Sequence, residues 1–194
     1  MKKRTAKLTR KTKETDIKLE LTLDSVGQYD INTGIGFFDH MLSHLSKHSK
    51  MDLIIKAKGD LEVDNHHTVE DVAICLGTAL NDALGDKKGI RRYGHSSVPM
   101  EDALANVAID ISGRPFCVFN VNFRTDKIGD FDVQCIEEML RSLANFGKFN
   151  VHVNVPYGMN SHHMAEAIFK ALGQAMAMAT EIIGTDVPST KGIL

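Results

Sequence analysis

The fold that this chain predicts is α+β, two copies of one strand-and-helix unit related by pseudo-twofold symmetry. Three observations predict it. The heptapeptide "NHHTVED" (65–71) returns as "SHHMAEA" (161–167); with His66 set on His162, the match continues without gaps to Leu76-Gly77 and Leu172-Gly173. Upstream, "DHMLSHLSKHSKMDLII" (39–55) aligns with "EEMLRSLANFGKFNVHV" (137–153), so that Met41-Leu42 meets Met139-Leu140 and Leu45 meets Leu143. Further back, "KLELTLD" (18–24) is a weaker match to "NVAIDIS" (106–112). A period of about 95 residues in a chain of 194 gives two structural repeats, 1–90 and 91–194, within one compact domain.

Each repeat reads the same way. Ile17, Leu19, Leu21 and Leu23 alternate with polar residues, as do Val107, Ile109 and Ile111, and alternation of period two is the mark of a half-buried strand. Cys117, Phe119, Val121 and Phe123 predict another strand. "GIGFF" (34–38) is a turn into a helix over 38–48, whose counterpart covers 134–146. A strand follows in each half (53–57 and 149–155), then a longer helix (67–84 and 162–183) with Val69, Val72, Ala73, Leu76 and Leu80 on one face of the first copy. Asn65 and Ser161 occupy the expected N-cap positions. The tail 185–194 is polar and punctuated by proline and glycine, a loop or extended arm.

Composition bounds the function. The chain is 43% hydrophobic and 25% charged, with a net charge of −2, so no overall basic field marks a nucleic-acid partner. A chain of this length buries about 70% of its unfolded surface and needs neither disulfide nor metal merely to fold. Lys2, Lys3, Arg4, Lys7, Arg10, Lys11 and Lys13 make the start basic, read as a solvated tail leading into a lysine-rich edge strand rather than a transit peptide. No apolar run approaches the ~20 residues of a membrane span. Cys75, Cys117 and Cys135 lack CxxC spacing and read as reduced core thiols, in keeping with a cytoplasmic chain.

The repeated His-His-x-x-Glu motif points to a pair of metal sites. Helical residues four apart share a face, so His66 can grip one ion with Glu70, and His162 with Glu166. His67 and His163 turn about 100° away and are free to serve a second ion. Pseudo-twofold symmetry then suggests an exchange of ligands, completed by position 40 on the first helix and its aligned partner, 138. One site is His40, His67, His162 and Glu166; the other is Glu138, His163, His66 and Glu70. Nitrogen and oxygen donors without cysteine suit Mn, Fe, Zn or Co. A lone HHxxE pattern is usually a surface feature; here the helix bodies have diverged while both motifs stand. His44 and His48 read as exposed polar residues, His152 as a partly buried strand residue or a donor behind the ligands, and His95 as a loop residue.

"TGIGFFDHML", "DNHHTVED", "GIRRYG", "DISGRPF", "GMNSHHMAEAIFKAL" and "PSTKG", in this order over about residues 10–192, resemble the imidazoleglycerol-phosphate dehydratase family of histidine biosynthesis. The resemblance implies a ribosomal-protein-S5-domain-2-like fold and loss of water from D-erythro-imidazole glycerol phosphate to give imidazole acetol phosphate. It implies two Mn2+ per active site, bound by the eight residues named above and themselves binding imidazolate. It also implies a homo-oligomer of twenty-four subunits built from trimers, with sites at subunit interfaces. Arg92, Arg114, Lys170, Ser189 and Lys191 match phosphate-binding positions, Glu14 matches a carboxylate at the glycerol end of the substrate, and Glu166, assisted by Glu14, matches the proton-transferring group. Guanidinium and ammonium groups suit a dianionic phosphate. Relatives carry either His or Glu where Glu138 stands, and His95 and "MEDALA" (100–105) depart from the commoner pattern. Two other readings share these residues, a dinuclear metallohydrolase of a small phosphate ester and a non-catalytic metal-binding shell.

Overall fold

The computed structural model describes residues 4–194; Lys2 and Lys3 lie outside them. The first half runs β1 (Thr5–Lys11), β2 (Thr15–Thr22), β3 (Tyr29–Asn32), α1 (Gly36–Ser49), β4 (Asp52–Gly59) and α2 (His66–Leu84). The second runs β5 (Tyr93–Met100), β6 (Ala103–Asp110), β7 (Phe116–Asn120), a short β8–β9 ribbon (Lys127–Ile128 and Phe131–Asp132), α3 (Gln134–Gly147), β10 (Asn150–Tyr157) and α4 (Ser161–Thr180). Two four-stranded sheets result, ordered β1-β2-β4-β3 and β5-β6-β10-β7. In each, a hairpin pairs antiparallel with a third strand, and the fourth strand joins that one in parallel. The predicted α+β repeat is the observed topology.

Alternation decides which face of each sheet is dry. Ile17, Leu19 and Leu21 on β2 and Leu53 and Ile55 on β4 turn inward with Val107, Ile109, Val151 and Val153 of the second sheet, and all are buried. β1 is the edge strand that the lysines suggest, with Lys7 and Lys11 reaching acids on β2 (Glu20 at 2.8 Å, Asp16 at 2.9 Å).

Helix packing exchanges partners between the halves. α2 lies on its own sheet and against α3, and α4 lies on its own sheet and against α1. Two glycines at equivalent repeat positions permit the close crossing. A Cβ at Gly77 would stand 2.7 Å from the Leu143 carbonyl and 2.8 Å from the Gly147 nitrogen; at Gly173 it would stand 2.8 Å from His48 Cβ and 3.0 Å from the Leu45 carbonyl. α1 and α3 also end alike, on Lys50 and Lys148 in the left-handed conformation (φ 58° in both), where the last helical turn unwinds.

Several local expectations are corrected. Asn160, not Ser161, caps α4: its side chain accepts from the His162 and His163 backbone N–H groups. Asn65 does sit at the N-cap of α2 but makes no capping bond there; Asp64 accepts from the His66 N–H instead. α4 stops at Thr180 rather than 183, and β7 stops at Asn120 rather than Phe123. His95 lies on β5, not in a loop, and His152 is exposed on β10. β3 and β5 have too few alternating apolar residues to mark them as strands in the sequence.

Gly173→Ala is expected to cost about 1–3 kcal/mol through overpacking, lowering the thermal midpoint by roughly 2–4 °C per kcal/mol. Gly184→Ala, whose added methyl meets nothing within 4 Å, should leave it unchanged. Equal midpoints for the two variants would show that the crossing is looser than described.

Candidate metal and active site

The contact between α1 and α4 carries His40 to the second HHxxE motif. His40 Nε2 lies 2.8 Å and His162 Nε2 3.1 Å from Glu166 Oε1, and the other Glu166 oxygen accepts from Lys170 Nζ at 2.7 Å. His44, one turn past His40, puts its Nε2 3.3 Å from His40 Nε2 and 3.4 Å from Glu166 Oε1. His44 is therefore half-buried in the cluster, not the exposed polar residue expected; its i,i+4 spacing from His40 was the available signal. Phe37 sets an edge against the His162 ring, with centroids 5.3 Å apart. Burial would raise the Glu166 carboxyl, but Lys170, His40 and His162 together hold it well below its usual range. Burial in turn pushes the neighbouring His44 and His48 imidazoles down.

Among the described residues, two groups of three gather potential ligand atoms within 4.8 Å of one another. One is His40, His162 and Glu166; the other is Glu14, Asp60 and His67. The chain thus brings together three of the four residues expected at the first site, while its own His67 lies elsewhere. His67 Nδ1 is 2.9 Å from Asp60 and 3.9 Å from Glu14. Of the second expected set, His66 Nε2 lies 3.8 Å from Glu70, the α2–α3 contact brings Glu138 onto the adjoining helix, and Glu138 accepts from Ser142 Oγ at 3.3 Å. His163 Nδ1 lies 2.5 Å from Asp102, whose carboxyl that bond, with the Met159 and Asn160 N–H groups, holds well below its usual range. Asp60 and Asp102 were missed in the sequence. So was Asp71, which accepts from Arg10 Nε (2.9 Å) and Thr15 Oγ1 (2.5 Å) and so ties the Glu14 hairpin to α2.

The basic residues divide. Lys170 faces Glu166. Arg92 is pinned by Asp110 (2.7 and 3.3 Å) and donates to the Pro188 carbonyl at 2.9 Å, which anchors the tail beside Ser189. The tail ends with Leu194 packed close to Gly113, next to the exposed Arg114. Ser189 accepts from the Lys191 N–H at 3.2 Å. The tail therefore touches Arg92 and the Arg114 turn, and carries Ser189 and Lys191 with it.

The nitrogen and carboxylate donor set fits a borderline divalent cation. The three cysteines are free, and burial pushes each thiol up to about 11, so they offer no thiolate. Fold and site together define a class: a duplicated α+β enzyme with a histidine–carboxylate centre where its halves meet. Comparison with known proteins narrows it. The model of the imidazoleglycerol-phosphate dehydratase family matches residues 33–176. An imidazoleglycerol-phosphate dehydratase of Clostridium botulinum is 56% identical over the full length of both chains, and one of an Exiguobacterium species is 54% identical over 97% of each. Crystal structures of such dehydratases from Staphylococcus aureus and Pyrococcus furiosus superpose with TM-scores of 0.84 at 36% and 37% identity. They cover 92% and 96% of this chain and 99% and 100% of their own. The chain belongs to the imidazoleglycerol-phosphate dehydratase family and is a carbon–oxygen lyase of histidine biosynthesis. No helix of the described residues is long and apolar enough to cross a membrane.

A carboxyl with a depressed value contributes stability above its ordinary value, here 4.5, and loses it as pH falls through the folded value. In metal-free protein, Glu166→Gln is expected to be less stable than the parent at neutral pH, with the gap narrowing below about pH 4. Urea midpoints measured against pH read this directly. A gap that stays constant into acid would mean the Glu166 contacts do not depend on its charge.

Proposed function

We propose that the chain converts D-erythro-imidazole glycerol phosphate to imidazole acetol phosphate and water as a metal-dependent cytoplasmic dehydratase, with two Mn2+ per active site. The observation that carries this reading is the convergence of His40, His162 and Glu166 from two halves of the chain beside Lys170. His40, His66, His67, Glu70, Glu138, His162, His163 and Glu166 would hold the ions. When bound, a divalent cation at such donors supplies Lewis acidity toward the substrate's imidazole and a template for it.

The remaining work falls to the chain. The hydroxyl must leave C3 and a proton must leave C2 before the enol tautomerises to the ketone. Glu166, placed in the His40–His162 cluster, is the carboxylate that would take a proton, with Glu14 assisting from the β1–β2 turn. Lys170 holds Glu166 in place and adds positive charge beside it. Arg92, Arg114, Ser189 and Lys191, joined by the tail, would clamp the phosphate, and the Asp110 contact pre-orders Arg92 for that role.

Copies of the chain would complete one another's sites in a shell of twenty-four subunits built from trimers. What favours this is that His67 lies outside the triad of its own chain, and His163 is bonded at Nδ1 to Asp102.

Manganese-loaded protein is expected to form imidazole acetol phosphate, to lose turnover on chelation and to regain it with Mn2+. Glu166→Gln should lower kcat by about 10²–10⁴-fold while the assembly, followed by light scattering, persists. Release of inorganic phosphate in place of the ketone, or fewer than about one bound ion per chain after loading, would overturn the reading.

A further inference from the structure

We propose that Asp60 and Asp102 are positioning residues, each fixing the second histidine of a His-His-x-x-Glu motif so that its Nε2 is the nitrogen offered to a divalent cation. The inference rests on the metal reading above and adds two carboxylates that neither motif contains. His67 Nδ1 lies 2.9 Å from Asp60 Oδ2, and His163 Nδ1 lies 2.5 Å from Asp102 Oδ1. A carboxylate only accepts, so Nδ1 carries the proton and Nε2 keeps the lone pair. Behind a ligating imidazole, such a partner sets both tautomer and ring orientation. The first histidines differ: His66 and His162 turn Nε2 toward the glutamate of their own motif, at 3.8 and 3.1 Å.

The two carboxylates come from different points of the repeat. Asp60 directly follows β4; the residue directly following β10 is Gly158, which has no side chain to offer. Asp102 stands immediately before β6, and the residue immediately before β2 is Glu14. Glu14 does face His67, but at 3.9 Å, outside hydrogen-bond range, whereas Asp60 bonds the ring at 2.9 Å. The halves therefore arrive at the same imidazole geometry by unlike residues. The arrangement also leaves Glu14 available for substrate. Asp102 accepts from the Met159 and Asn160 N–H groups (2.5 and 2.9 Å), and the second oxygen of Asp60 is buried without a partner.

The test measures Mn2+ affinity of the full chain by electron paramagnetic resonance of the free ion, with circular dichroism confirming the fold of each variant. Asp60→Ala and Asp102→Ala are each expected to weaken binding 10–100-fold. Asp60→Asn and Asp102→Asn, which still accept from Nδ1–H, should recover most of that loss. In the double variants His67→Ala/Asp60→Ala and His163→Ala/Asp102→Ala, affinity should fall no further than in the histidine variants alone. Should Asp102→Ala fail to fold for want of its 159–160 turn, the Asp60 set carries the test, since that side chain bonds only His67 among the described residues. Parental affinity in folded alanine variants, or additive losses in the doubles, overturns the inference. If His67→Ala and His163→Ala still weaken binding, the metal reading survives that result. A parent chain that takes up no Mn2+ overturns both.

Discussion

Close approach of helices from opposite halves is the constraint on which the rest of this structure depends. Gly77 and Gly173 each leave room for the backbone of a helix that their own half does not supply. Neither sheet alone could bring α1 to α4, because each half packs its second helix on its own strands. The crossing joins the halves, and it sets His40 against Glu166. Core packing and site geometry are thus one feature: the glycine that lets α4 lie on α1 stands on the same helix as His162, Glu166 and Lys170.

Charge at the centre follows from that placement. Glu166 is 9% exposed in its side chain, where a lone carboxylate would be costly. Two imidazoles and an ammonium group answer the cost and keep it ionised, which is the state a ligand or a proton acceptor needs. His67 and His163 are treated differently. Each is bonded at Nδ1 to a carboxylate outside its motif, so within one motif the adjacent histidines face unlike partners. Helical geometry alone accounts for their divergence of about 100°; the carboxylates they meet come from loops and turns.

The motif repeat at 65–71 and 161–167 marked the histidines and glutamates, and the alignment of Gly77 with Gly173 held the crossing without revealing it. Alternation gave β2, β4, β6 and β10 because each has one dry face. β3 and β5 show no such alternation: β3 has only one inward apolar side chain, and β5 carries glycine, proline and serine. For His44, spacing shows that it shares a helix face with His40 but not that this face meets Glu166. Asp60 and Asp102 gave no usable pattern, since each reaches its histidine across a loop or turn rather than along a helix.

The sequence by itself determined the duplicated α+β plan, the family and the inventory of donors, because local periodicity and a repeated motif are properties of the chain read in one dimension. Tertiary structure alone decided which donors meet. It put His40 with His162 and Glu166, sent His67 to Asp60, and tied Arg92 to the C-terminal tail. Those pairings join residues that lie up to 126 positions apart, and only the packing of one half on the other fixes distances of that kind.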